Sequence, residues 1–268
     1  MLADIEAAYN GKALEPETMT MMDVAIADAE KRQTQAFEEG KQWYAQNFDC
    51  GDTFTGLIPD LEGTERSEAN IIRVLSVDKE KVESFCKSNG LFKNTLFMSA
   101  YAYLLAKYNN EQEALFTTVY NGRTDKRLSH TVGMTVKTLP VYAKFTNDAT
   151  VMDFMKACQE QNTGCREHDI YAYPDLMADL NLQSNSMFAW RGSMFGNTQL
   201  MGKPMQTKQL CNHTLEVPLC MMAYTIGDQY QLRAEYDASA YSEKLINDFM
   251  GHSEKAIRVP RVVLVEPN

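Results

Sequence analysis

Apolar positions along the chain switch repeatedly between helical and strand periods. Leu2, Ile5, Ala8 and Tyr9 share one face at helical spacing until Gly11 interrupts them, and residues 27–43 form a polar, charged run rich in strong helix formers. Neither segment carries much apolar surface, so both are expected to lie over another body. Gly, Pro and Asp punctuate 52–61 as a linker, and the β-branched run 71–77 predicts a strand. Asp78 can cap a helix whose Val82, Phe85 and Cys86 line one side until Asn89-Gly90 ends it. Residues 95–108 are apolar almost all round, the mark of a helix buried between layers.

Farther along, 114–122 and 136–145 read as strands. Residues 148–161 read as a helix with Val151, Phe154, Met155 and Cys158 toward the core. A short helix is expected at 172–180, opening at Pro174, then a strand at 186–194 and a long polar excursion at 196–212. Strands 219–226 and 230–236 flank Gly227-Asp228-Gln229, a hairpin turn, before an amphipathic helix bearing Leu245, Ile246, Phe249 and Met250, and an extended apolar tail, VPRVVLVEP. The mixture of hairpins and helix-separated strands predicts an α/β (α+β) architecture, a mixed β-sheet covered by helices.

Composition narrows the chemistry. The 268 residues carry a formal net charge of −10, against a phosphate-tracking nucleic-acid surface. No run approaches the roughly 20 apolar residues that cross a bilayer, and the start has neither a basic leader nor a cleavage site, so a cytoplasmic location without membrane contact is expected. Six cysteines (Cys50, Cys86, Cys158, Cys165, Cys211, Cys220) form no C-x-x-C pair and read as reduced, mostly buried thiols; no metal site is indicated. The 16 methionines fall mainly in apolar runs and read as core filler.

The four histidines, His130, His168, His213 and His252, sit in no recognised motif. His168 and Asp169 are adjacent and so point apart, which argues for a loop histidine over a dyad. Asp175 and Asp179, one helical turn apart, read as a solvated helix face. Phosphate-loop, dinucleotide, nucleophile-elbow and zinc-protease signatures are all missing.

Several segments, taken in order, resemble the non-ribosomal peptide synthetase condensation domain family. NTLFMSAYAYLLAKY (94–108) is similar to its buried helix, and ALFTTVYNGR (114–123) to the strand ending in its Gly-Arg turn. TVGMTVKTLPVYAKF (131–145) resembles I-G-x-F-V-N-T-x-x-x-R, and YPDLMADLNL (173–182) resembles Y-P-F-E-x-L-V-x-x-L. The opening LADIEAAYNGKAL resembles the helix after the family's histidine motif. This resemblance implies one lobe of a chloramphenicol acetyltransferase-like bilobal fold, in which two lobes enclose a tunnel entered by phosphopantetheine-tethered substrates on donor and acceptor peptidyl carrier proteins. It implies amide-forming acyltransferase chemistry, with no cofactor bound by this chain itself.

The H-H-x-x-x-D-G motif is not in the sequence, and the resemblance puts it just upstream of Met1. The chain is therefore expected to comprise linking helices (1–50) and a C-terminal lobe (51–268), inactive without its N-terminal lobe and neighbouring synthetase domains. Asn121, Gly122, Arg123, Gly133, Met134, Lys137 and Thr138 are expected on the tunnel wall. An ordinary turn with Arg123 bound to a carboxylate is the alternative. Departures from the motif stand at Thr135, Lys137 and Lys144, for its aromatic, Asn and Arg. Epimerising, heterocyclising or coenzyme A-dependent relatives, a non-catalytic carrier-docking module, and an unrelated α/β binding domain are the rival readings.

Overall fold

The N-terminal region forms α1 (Leu2–Tyr9), α2 (Met21–Lys31) and α3 (Gln35–Asn47). The structure, a computed structural model, describes residues 2–258 except 52, 54, 55, 147, 183, 194–198 and 205–214. Where one helix was expected over 27–43 there are two. Thr20 opens α2 through a capping box with Asp23, and the Thr34 hydroxyl donates to the Lys31 carbonyl at 2.7 Å. That local bond competes with helix continuation, and Thr34 takes extended backbone to start α3.

The body follows as β1 (Glu68–Val74), α4 (Lys79–Ser88), α5 (Lys93–Tyr108), β2 (Glu113–Tyr120), a 3-10 turn (Lys126–Ser129) and β3 (Lys137–Lys144). Then come α6 (Val151–Glu167), α7 (Tyr173–Leu180), β4 (Ser186–Gly192), a ribbon of β5 (Gln199–Leu200) and β6 (Lys203–Pro204), β7 (Leu219–Ile226), β8 (Gln229–Asp237) and α8 (Glu243–Ile257). β1 lies earlier than the expected 71–77, because the Ser76 amide donates to the Glu254 carboxylate of α8 at 2.9 Å and draws the chain off the ladder. α6 outruns its expected end, and Val151, in its first turn, is exposed where a core position was expected; Met155 and Cys158 are buried. Most of 196–212 and all of the closing tail lie outside the described residues.

Six strands form one mixed sheet in the order β1-β8-β7-β4-β2-β3. β2–β4 and β4–β7 are parallel and the remaining pairs antiparallel, the hairpin at Gly227-Asp228 joining β7 to β8. Alternation along the strands sends Phe116 and Val141 to one face and Leu115 and Tyr142 to the other. The first face meets α4, α5, α8 and the start of α6. α5 is buried nearly all round, with Tyr101 against Phe116 at 5.0 Å and Phe249 at 5.7 Å. Such an aromatic contributes roughly 3 kcal/mol by truncation.

The second face carries a smaller core over β2 and β3, built from α3, the end of α6 and α7: Tyr44, Phe48, Cys165, Tyr171 and Leu176. Two ion pairs fasten α7 to the N-terminal helices. Arg32 grips Asp175 with both guanidinium nitrogens (2.7 and 2.6 Å), and Lys41 meets Asp179 at 2.6 Å. Asp175 and Asp179 are thus clamps for α2 and α3, not the solvated face expected of them; a fork-to-carboxylate pair suits partly covered contacts. Cys50, Cys86, Cys158 and Cys165 are buried free thiols and Cys220 is half-buried, while Cys211 lies outside the described residues. Met98, Met155, Met221, Met222 and Met250 fill core, but Met22 and Met134 are exposed.

Candidate functional site

The chain leaving β2 doubles back to β3 through a loop that Arg123 ties from within. Its guanidinium donates to the Leu128 carbonyl and, at 3.0 Å, to that of Gly133. The Thr135 hydroxyl donates to the Asn121 carbonyl at 2.7 Å, and the Asn121 side chain accepts the Arg123 amide at 3.2 Å. Arg123 therefore fastens the loop through carbonyls, not through the carboxylate of the alternative reading. Gly122 has φ +64°, and a Cβ there would lie 1.9 Å from the Thr135 oxygen, so only glycine lets the two ends of the loop touch. At Gly133 the space a side chain needs is filled by Met21 of α2.

Residues 17–21 hold the loop from outside. Thr131 donates its hydroxyl to the Met19 carbonyl, and the Val132 amide donates to Glu17 at 2.7 Å. The clamp fixes the backbone entering β3, whose first residues, Lys137 and Thr138, turn into a groove.

That groove has two joined parts. One, of about 350 Å³, lies between Asp28 of α2 and its C-cap Arg32, the start of β3 and the α6–α7 connection (Asp169, Ile170). The other, of about 290 Å³, continues over β2 and β4 past Thr117 and Met187, with Met177 of α7 at its side. Thr138 and Tyr173 line both. The lining is mixed: Ser184, Asn185 and Glu216 stand among the apolar side chains of the second part, and charges gather near Lys137 in the first.

Lys137 Nζ lies 2.9 Å from Asp169 Oδ1. Both side chains are largely covered, at 30% and 21% exposure. Burial pushes the Asp169 carboxyl up to about 6, with the Asp28 charge adding to the rise and Lys31 opposing it; burial also lowers the Lys137 amine. His168, next in sequence, stacks on Trp43 with ring centres 5.0 Å apart, so His168 and Asp169 form no dyad. His252 Nδ1 is 2.7 Å from the Tyr108 hydroxyl on the far helical layer, His130 ends the 3-10 turn, and His213 lies outside the described residues. Among the described residues no group of three His, Cys, Asp or Glu side chains could hold a metal.

Of the seven residues expected on a wall, Lys137 and Thr138 line the groove. Asn121, Gly122, Arg123 and Gly133 build the loop beside it, and Met134 is 81% exposed. Sequence reasoning missed Asp28, Asp169, Met177 and Met187. The signal for Asp169 was the segment leading into Tyr173-Pro174; nothing in the sequence marks Asp28 or Met187.

The Condensation domain family matches residues 1–259. The chain belongs to that family. Bacitracin synthase 1 of Bacillus licheniformis is 21% identical over 273 residues, covering 94% of this chain and 5% of that protein. Among solved structures, the condensation domain from Monacolin K polyketide synthase MokA superposes with a TM-score of 0.79 at 12% identity, over 96% of this chain and 64% of that one. The epimerization domain from the third module of tyrocidine synthetase B gives 0.75 at 16% identity, over 94% and 61%. The chain thus spans a small fraction of its curated relative and less than two thirds of these condensation-type domains. The mixed sheet with its helical cover is the fold they share, as expected for one lobe of a chloramphenicol acetyltransferase-like pair.

Proposed function

We propose that residues 51–268 form the C-terminal lobe of a condensation domain, that residues 1–50 lead into it, and that together they supply one wall of a tunnel where carrier-bound aminoacyl or peptidyl thioesters are joined through an amide bond. One observation carries this reading. The two segments that resemble the family's motifs, around Lys137-Thr138 and Tyr173-Pro174, meet in one groove on the sheet face away from α5.

In that chemistry the acceptor amine attacks the donor thioester carbonyl, the C–S bond breaks, and the donor's phosphopantetheine thiol leaves. The thioester supplies the driving energy, so neither metal nor nucleotide enters. This chain's part is positioning: Leu139, Ile170, Tyr173 and Met177 exclude water, while Arg123 and Gly122 hold the backbone that aims Lys137 and Thr138. The amine's proton partner would be the imidazole of the histidine motif on the facing lobe. Donor and acceptor carrier proteins are the partners that follow, with phosphopantetheine-tethered groups as substrates. As for location, none of the described helices is long and apolar enough to cross a membrane.

The test joins this chain to a complementary N-terminal lobe bearing H-H-x-x-x-D-G and measures dipeptidyl-carrier formation from two loaded carriers. Amide product is expected. A folded fusion that makes none overturns the reading, and α-proton exchange with solvent in place of amide product would assign epimerisation.

A further inference from the structure

The two edges of the mixed sheet are finished differently. On β3 the residues whose amides face away from β2 include Pro140, which has no N–H, and Tyr142, whose amide donates to the Gln161 side chain at 2.8 Å. That edge is closed to a further strand. On β1 the Leu75 amide donates to the Tyr230 carbonyl and the Ser67 carbonyl accepts from the Ala238 amide, so alternation along the ladder turns the backbone of Ile72 and Val74 outward, away from β8. Neither outward amide has an acceptor among the described residues, and the two side chains are 56% and 47% exposed. No proline, lysine or bulge blunts this edge.

The chain returns to this edge at its other end. Glu254, in the last turns of α8, accepts the Ser76 amide at 2.9 Å and lies 3.7 Å from Arg73 of β1. Arg258 follows one turn on, its amide bonded to the Glu254 carbonyl at 3.0 Å and its backbone already extended at φ −56° and ψ 110°. Beyond it the sequence V-P-R-V-V-L-V-E-P-N, 259–268, lies outside the described residues. Residues 262–265 are Val-Val-Leu-Val, a run of high strand propensity bracketed by Pro260 and Pro267. Three extended residues reach about 10 Å, enough to pass from the helix layer to the sheet edge. A segment entering beside Val74 runs along β1 only in the antiparallel sense. Alternate residues of 262–265 are apolar on both faces, and β1 matches them: Ile71 packs on the main core, while Ile72 and Val74 face outward.

We propose that residues 262–265 add to β1 as a seventh, antiparallel strand, so that a segment of the chain itself closes the open edge of the sheet. Main-chain bonds with Ile72 and Val74 hold it, and its side chains cover theirs. A second copy offers the same edge chemistry, but α8 delivers this segment within a few residues of its seat, at an effective concentration no separate molecule matches. The proposal stands apart from the tunnel reading and holds whether or not that reading does.

The test follows hydrogen exchange of the Ile72 and Val74 amides by NMR in the full chain and in a chain ending at Arg258, with the methyl signals of Met221 and Met250 reporting an intact core. Exchange at both amides is expected to be at least about tenfold slower in the full chain. Two variants of the full chain, Val263→Pro and Leu264→Pro, keep its length. Successive amides of a strand point opposite ways, so one of the two removes a donor aimed at β1 and should abolish the protection, while the other should retain it. Equally fast exchange in the full and shortened chains overturns the proposal, as does protection indifferent to both prolines. Protection that survives the shortening, or that rises with the concentration of the full chain as a dimer forms in sedimentation, also overturns it and assigns the edge to a second copy.

Discussion

Arg123 Nη2 donates to the Gly133 carbonyl at 3.0 Å, so the glycine bend before β3 is held by the arginine that follows the glycine after β2. One planar cation satisfies backbone carbonyls at two points of a loop that buries too little apolar surface to order itself. The contact explains why Gly122-Arg123 and Gly133 stand so close in sequence to the residues that line the groove.

The first prediction concerns that closure. Gly122→Ala would place a methyl 1.9 Å from the Thr135 oxygen on a backbone with φ +64°. Neither the clash nor the conformation can be relieved locally, so unfolding free energy should fall by about 3 kcal/mol. Urea denaturation checks it; a loss below about 0.5 kcal/mol would mean the loop ends are not in contact.

A second glycine should behave against its helical average. In an exposed helix, glycine to alanine adds about 1 kcal/mol of stability. At Gly164 in α6 the new methyl would lie 2.3 Å from Trp43 Cζ2, and Trp43 is the ring on which His168 stacks. Gly164→Ala should instead destabilise by about 1–3 kcal/mol through overpacking. It should also change the fluorescence of Trp43, readable in a Trp190→Phe background. A stabilised variant with unchanged emission would contradict the docking of α3 on α6.

Much of this was legible in the sequence, for identifiable reasons. α5 declared itself because apolar residues occupy every side of it, and the β7–β8 hairpin because Gly227 sits between two strand-period runs, with φ +56° in the structure. The split of 27–43 into two helices was not legible, since Thr34 breaks the run through one hydroxyl-to-carbonyl bond that composition does not reveal. Asp175 and Asp179 were misread because their partners, Arg32 and Lys41, are remote in sequence. The Lys137–Asp169 contact was hidden for the same reason: only the fold brings the start of β3 to the α6–α7 connection.

That contact makes a third prediction. Lys137→Met removes the ammonium 2.9 Å from Asp169 but leaves the carboxylate in a partly buried site, so its pKa should rise above that of the unsubstituted protein. The folded value already exceeds the ordinary 3.8, so protonation of Asp169 favours the folded state. This contribution is complete below about 3.8 and is lost as pH rises through 6. In Lys137→Met the window should extend upward. Carbon-detected titration of the carboxyl in both proteins decides it, and a value no higher in Lys137→Met than in the unsubstituted protein would show that the pair is not formed.

Asp237 should oppose that trend. Burial works to raise its carboxyl, but the Ser67 amide and the hydroxyl and amide of Ser239 outweigh it and hold the group below its usual range. Asp237 Oδ1 accepts all three, at 3.0, 2.7 and 3.0 Å, joining the end of β8 to the entry of β1 and the turn before α8. Asp237→Ala should cost about 2 kcal/mol at neutral pH, since it leaves two amides and a hydroxyl without their acceptor. The folded pKa is depressed, so the stability tied to ionised Asp237 is present above about 3.8 and is lost as pH falls through the folded value. Both costs should therefore shrink on acidification, that of Lys137→Met at the higher pH where Asp169 takes up its proton and that of Asp237→Ala only as pH falls below about 3.8. Urea denaturation of both variants between pH 3 and 7 separates the two carboxylates: a cost for Asp237→Ala that does not change over the range would show that its three donors are satisfied by something other than the ionised group.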